Sequence, residues 1–208
     1  MAADVLESLA NQADGAPLAP LVVSSLAVMG TPGPSTISLV ASVTAFGARN
    51  SVAYCVGLIA GTAGVLLAVT AGVTAVILGV SELRWALIGL GSAYMLWLAY
   101  RIARAGPLGE PGAGQRSPSF ADGMLIGVLN PKAWIALAAL FASARVVGVV
   151  DGALTVAVLL ALVVIVHVVW LFAGSLLAPA MRSVRTARLI NGVLAGSLVV
   201  ATAIALVI

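Results

Sequence analysis

Apolar residues run along this chain in blocks of membrane-crossing length, divided by short stretches that hold nearly all the charge. The charge-free blocks are 15–48, 50–81, 85–100, 152–181 and 189–208. A helix needs roughly 20 apolar residues to cross a bilayer core, whereas barrel strands alternate over only about ten. The pattern therefore predicts an all-α membrane protein with six transmembrane helices, over about 18–45, 51–79, 85–103, 121–143, 152–178 and 188–207. The second and fifth runs exceed one span width without reaching two, so tilt or interfacial overhang takes up the excess.

Two of the predicted spans are interrupted. Thr31-Pro32-Gly33-Pro34 breaks the first, and Leu129-Asn130-Pro131-Lys132-Ala133-Trp134 breaks the fourth. Proline lacks the backbone donor and its ring clashes with the preceding turn. Freed carbonyls in lipid cost several kcal/mol each, so both strings must face protein, water or a ligand. At 1.5 Å per helical residue, Pro32 lies about 21 Å from the span start near Leu18, and Lys132 about 17 Å from the start near Ala121. Both depths fall mid-membrane in a core about 30 Å thick. A hairpin at 31–34 would leave flanks of about 14 residues, too short to cross.

Three spans on each side of residues 104–119 give two halves that enter the membrane from opposite faces. Two inverted three-helix repeats are thus expected, 18–103 and 120–208, with helices 1 and 4 broken mid-membrane. Aligning Pro32 with Pro131 sets Leu26 to Met29 beside Leu125 to Leu129 to within one residue. Paired interrupted segments of this kind point to the binding site of a transporter.

Composition agrees: 62% of residues are hydrophobic and 8% charged, against about a quarter charged in soluble domains. Arg49, Arg101, Arg104, Arg116, Arg182, Arg185 and Arg188 fall on one side of the predicted topology, and Arg84 and Arg145 on the other. Cytoplasmic loops carry the excess of basic residues, so both termini are expected outside. Tyr94, Trp97 and Tyr100 lie near the cytoplasmic end of span three, where an aromatic belt belongs. Membrane edges account for the arginines, and no nucleic-acid partner is expected. Residues 1–17, with Asp4, Glu7 and Asp14, read as an exposed acidic tail, and the Gly- and Pro-rich 104–119 as a cytoplasmic linker.

Lys132 is the only lysine. A lysine at a helix centre costs at least about 2.5–3.5 kcal/mol, and from mid-membrane its stem is too short to snorkel to the interface. It is expected to point into the bundle, toward carbonyls freed by Pro34 or Pro131 or toward a substrate carboxylate. His167 is the other ionisable group near mid-membrane. It reads either as a proton relay, with an ordinary pKa near 6.5, or as a neutral hydrogen-bonded ring. Asp122 and Asp151 sit at helix starts, where the dipole favours them. No carboxylate is expected inside the membrane, so Lys132 and His167 are the candidates for proton coupling. Thr31, Ser35, Ser38 and Ser42 share one helix face, which either lines a solute path or bonds neighbouring helices. Gly57, Gly61, Gly64, Ala68 and Gly72, and separately Gly192 and Gly196, read as packing stripes. Trp134 walls a pocket or faces lipid, and Cys55 is a small apolar filler. No Cys/His spacing suits a metal, and no cofactor is expected.

These strings together resemble a known family. Thr31-Pro32-Gly33-Pro34, Gly57 with Gly61, Ala93-Tyr94-Met95-Leu96-Trp97-Leu98, Phe120 through Gly123, Asn130-Pro131-Lys132-Ala133, and Ile190-Asn191-Gly192 leading to Gly196 are similar to the LysE/RhtB family of amino-acid exporters. The resemblance runs from about residue 20 to the end. It implies a six-span protein of the bacterial inner membrane, a homodimer, exporting amino acids or related small metabolites under the proton gradient. Ser35 and Thr36 follow the second proline where family members commonly carry Asn or Asp.

The expected substrate site combines Thr31, Pro32, Gly33, Pro34 and Ser35 with Asn130, Pro131 and Lys132, and takes a small amino-acid-like molecule. Three rivals come from the wider superfamily or outside it. A metal-ion exporter lacks intramembrane carboxylates or a Cys/His cluster. A transmembrane thiol carrier needs a cysteine in each half, and Cys55 is the only one. A non-transporting membrane scaffold would leave metabolite pools unchanged on deletion.

Overall fold

A computed structural model describes residues 18–104, 117–144, 146 and 148–207. The expected acidic tail 1–17 and most of the linker 104–119 lie outside the described residues. The described chain forms helices α1 (Leu18–Gly30), α2 (Pro34–Phe46), α3 (Ala48–Thr70), α4 (Val73–Gly79), α5 (Ser81–Ala103), α6 (Phe120–Leu129), α7 (Pro131–Ser143), α8 (Val149–Leu177) and α9 (Val184–Val207). A 3-10 turn, Ala178–Arg182, joins α8 to α9, and no strand occurs among the described residues.

Three of these helices, α3, α5 and α8 with its continuation, are long and apolar enough to cross a membrane. Two bent pairs, α1 with α2 and α6 with α7, raise the number to five. The sixth predicted stretch is occupied by α9, of 24 residues. Large apolar side chains cover the outer surface, with Val149 88% and Leu176 82% exposed. That surface suits lipid rather than water.

Both breaks fall where the prolines placed them. The α1–α2 pair bends by 56° and the α6–α7 pair by 60°. Pro34 and Pro131 each open the second helix of a pair, where the missing N–H is one that a first turn leaves unbonded anyway. Gly33 precedes α2 in extended conformation, and its N–H donates to Thr36 Oγ1 at 2.9 Å. Asn130 caps α7, its Oδ1 accepting from the Lys132 N–H at 3.1 Å. At the start of α6, Ser119 N–H donates to Asp122 Oδ2 at 2.8 Å, and Asp122 N–H to Ser119 Oγ at 3.3 Å. This reciprocal cap accounts for Asp122 at that helix start.

The second apolar run departs from expectation. It is not one continuous helix: α3, long enough for one span, stops at Thr70, and the short α4 follows a turn at Gly72. Gly72 has φ +79°, which side chains other than glycine rarely adopt. It ends a helix instead of packing one.

Packing crosses between the two sequence halves. Helix α3 packs most extensively on α6 and also on α7, α8 packs on α1 and α2, α3 meets α8, and α5 meets α9. The α3–α6 seam is built from glycine. A Cβ on Gly57 would collide with the carbonyl of Phe120, and one on Gly61 with the carbonyl of Met124. In return, Gly123 lies against the carbonyl of Tyr54 and Gly127 against that of Leu58. Small residues allow such backbone approach in membranes. The other expected packing glycines differ. An added Cβ on Gly64, Gly192 or Gly196 would meet nothing within 4 Å, so these positions pack against no other part of the described chain.

The loops around 46–50, 101–104 and 117–119 share one end of the bundle. Ser117 Oγ donates to the Asn50 carbonyl at 2.7 Å. At the same end Arg101 lies 5.0 Å over the Trp97 ring and Arg104 4.5 Å over the Tyr100 ring.

Candidate functional site

The two breaks meet, and side chains of the second reach into the first. Lys132 Nζ donates to the Thr31 carbonyl at 2.9 Å and to Thr31 Oγ1 at 2.7 Å. The lysine is half-buried and turned into the bundle. Its carbonyl partner is supplied by the opposite span, at the residue where α1 has ended and α2 has not begun. Gly33 makes room for the stem: a Cβ there would stand 2.9 Å from Lys132 Cδ and 3.2 Å from Nζ. Asn130 Nδ2 donates to Ser35 Oγ at 2.8 Å, and both residues are buried. One asparagine side chain thus caps α7 and ties it to α2. Trp134 Nε1 donates to the Val128 carbonyl at 2.8 Å, satisfying an acceptor left open at the end of α6. The indole therefore braces the second break.

A cavity of about 50 Å³ lies at this junction. It is lined by Thr31, Gly33, Ser35, Asn130 and Lys132 among the sequence-predicted site residues, and also by His167. Pro32, Pro34 and Pro131 do not line it; they shape the breaks that do. Pro32 is exposed, whereas Pro34 and Pro131 are buried. A water needs about 10–15 Å³ of such space, so the cavity has room for a few waters. Through Ala136 it adjoins a groove of about 410 Å³ between α1 and α7. The two serines of that groove are turned back on their own helices, Ser24 Oγ to the Pro20 carbonyl at 2.7 Å and Ser143 Oγ to the Leu140 carbonyl at 2.8 Å.

The serine face of α2 makes helix-to-helix bonds and also borders open space: Ser35 lines the cavity, and Ser38 and Ser42 line another of about 60 Å³. Ser35 receives Asn130, Ser38 Oγ accepts from Tyr54 OH at 2.8 Å, and Ser42 Oγ pairs with Ser51 Oγ at 2.8 Å. All three serines are buried. Thr31 stands apart from this face, exposed at the break. Cys55 is buried, 4.0 Å from the His167 carbonyl.

Thr62 belongs to the site, although the sequence gives it no motif. It lines the cavity from α3, one residue past Gly61. The only signal available was a hydroxyl beside a packing glycine in an otherwise apolar stretch. Two atoms of the lining have no hydrogen-bond partner: Thr62 Oγ1 and His167 Nε2. A buried polar atom left unpaired costs about 1–3 kcal/mol, a cost that a hydrogen-bonding ligand would relieve. The site therefore offers a cation on α7, a hydroxyl on α3 and an imidazole on α8. No carboxylate lines it, and no three His, Cys, Asp or Glu side chains gather elsewhere among the described residues.

A family model described as LysE type translocator matches residues 26–208. No curated protein and no solved structure matches the chain.

Proposed function

The chain belongs to the LysE type translocator family, and from that premise we propose that it is a secondary active exporter of amino acids or related small metabolites across the bacterial inner membrane. Export runs by proton-coupled alternating access. The observation that carries this reading is the Lys132 ammonium, which bridges from one broken span to the Thr31 carbonyl of the other. A charge in that position is expensive in a membrane, and a scaffold has no use for it beside a cavity. Lys132 draws the substrate carboxylate; Lys132 and His167 are the titratable groups available for coupling.

The packing supports two inverted repeats. Helix α3 grips the broken span of the second half, α8 grips that of the first, and α3–α8 and α5–α9 pair equivalent helices. In the proposed cycle these halves rock about the junction of the breaks, and the Asn130–Ser35 and Lys132–Thr31 bonds part and re-form. The arginine-bearing end, with Arg49, Arg101 and Arg104, faces the cytoplasm, which leaves both termini outside. Gly192 and Gly196, which meet nothing among the described residues, are available to a second copy in a homodimer. The metal-ion alternative has no ligand set at the cavity.

The test is untargeted metabolite analysis of the medium of cells overexpressing the protein, with Lys132→Met as control. Export of at least one amino-acid-like metabolite is expected for the native chain and none for the variant, with both inserted equally in membrane fractions. Normal export by Lys132→Met defeats the role given to the lysine. Unchanged medium for both favours the scaffold.

A further inference from the structure

We propose that the cavity takes the head group of a zwitterion with an apolar side chain, and that one lone pair, on His167 Nε2, serves the substrate ammonium and the driving proton in turn. This rests on the exporter reading and names its substrate class and coupling atom.

His167 holds a buried atom without a partner. His167 is 4% exposed, and its Nδ1 lies 2.8 Å from the Val163 carbonyl. A carbonyl has no proton to give, so Nδ1 carries the hydrogen. In the neutral ring Nε2 is then a pure acceptor. The ring belongs to a residue of the cavity lining, and Nε2 is buried without a partner, as is Oγ1 of Thr62, another lining residue, 5% exposed. On a different helix, Lys132 has three N–H donors, two of them occupied by Thr31. The third is left for a carboxylate. One wall thus offers a donor cation and another offers acceptors. Those are the two needs of a molecule that carries a carboxylate and an ammonium on neighbouring atoms.

The same chemistry couples the proton. Imidazolium donates from both nitrogens and accepts from neither; it also repels an ammonium. A protonated His167 therefore cannot hold the substrate, and a substrate-bound His167 cannot hold the proton. Alternating access then exchanges one proton inward for one substrate outward. Few other groups compete. From α3, Cys55 lies beside the His167 backbone, and the Tyr54 hydroxyl is bonded to Ser38. From α7 comes Lys132. Helices α1 and α2 contain no ionisable residue, and Asp151 lies in the first turn of α8. The adjoining groove, with both serines turned inward on their helices, suits an aliphatic side chain.

The experiment uses the purified full-length protein with L-leucine and with 4-methylpentanoate, which has the same skeleton without the ammonium. Binding and proton release are followed by calorimetry in buffers of different ionisation enthalpy, from pH 5.5 to 8. Leucine affinity should weaken toward acid, approaching about tenfold per pH unit, with proton release rising toward one per leucine. 4-Methylpentanoate should release none. His167→Gln, whose amide oxygen accepts a hydrogen bond without titrating, should bind leucine at a pH-independent affinity with no proton release. Release that persists in His167→Gln, or equal leucine affinity at both ends of the pH range in the native chain, overturns the proposal. If leucine is ignored while another metabolite leaves cells in a Lys132-dependent way, this inference fails and the exporter stands. If no Lys132-dependent export of any kind occurs, the exporter reading itself fails.

Discussion

The two broken spans bend by nearly the same angle, 56° and 60°, yet reach it differently. The first opens over three residues, Thr31, Pro32 and Gly33. It contributes an uncapped carbonyl, a hydroxyl and the space over Gly33. The second opens at one residue, Asn130, and is braced by side chains: Asn130 on Ser35, Lys132 on Thr31, Trp134 on Val128. One break is an acceptor surface and the other is the tool that reaches for it. Similar geometry thus supports two roles, and mutations should not act symmetrically across the pair.

The largest effect is expected at Asn130. Asn130→Ala removes a helix cap, about 1 kcal/mol, and an interhelical hydrogen bond, about 0.6 kcal/mol in a membrane. Thermal denaturation in detergent should show a loss near 1.5 kcal/mol, and native stability in the variant would remove the bracing role of the second break. Gly33→Ala comes next and should separate stability from transport. Its Cβ meets the flexible Lys132 stem at 2.9 Å, so the fold yields at a cost under about 1 kcal/mol while the ammonium shifts off Thr31. Export should fall several-fold; export at the native rate would mean that the lysine's position is immaterial. The smallest effect belongs to Pro32→Ala. Pro32 is exposed and lines nothing, so stability should change by less than about 0.5 kcal/mol. Pro131→Ala, at a buried position beside Gly91, should cost more. Equal losses from the two prolines would erase the asymmetry.

The breaks were legible in the sequence because proline acts locally: a missing donor ends a helix whatever surrounds it. Lys132 was legible because a lone cation deep in apolar sequence has to face inward. The convergence of Thr62 and His167 on one cavity was not, because α8 is apolar all round, and such a helix carries no stripe to say which face turns inward. Glycine misled for a related reason. Gly57, Gly61, Gly72 and Gly192 look alike in a row of letters. The first two admit a neighbouring backbone, the third supplies a positive φ, and the fourth meets nothing among the described residues. A small residue states that close approach is allowed, without naming what approaches. The cluster of aromatic rings near the end of α5 was readable, but the stacking of Arg101 on Trp97 and Arg104 on Tyr100 depended on the rotation of that helix.

The reciprocal glycine contacts of α3 and α6 also restrict how the bundle can rearrange. Each of the four glycines lies under a carbonyl of the facing helix, so a one-residue slide along the seam would drive a side chain into backbone. Rolling about the line of contact keeps every glycine under its carbonyl. The seam is therefore an axle: it permits rotation and forbids translation, and in the proposed cycle the movement falls on the groove that α1 and α7 line.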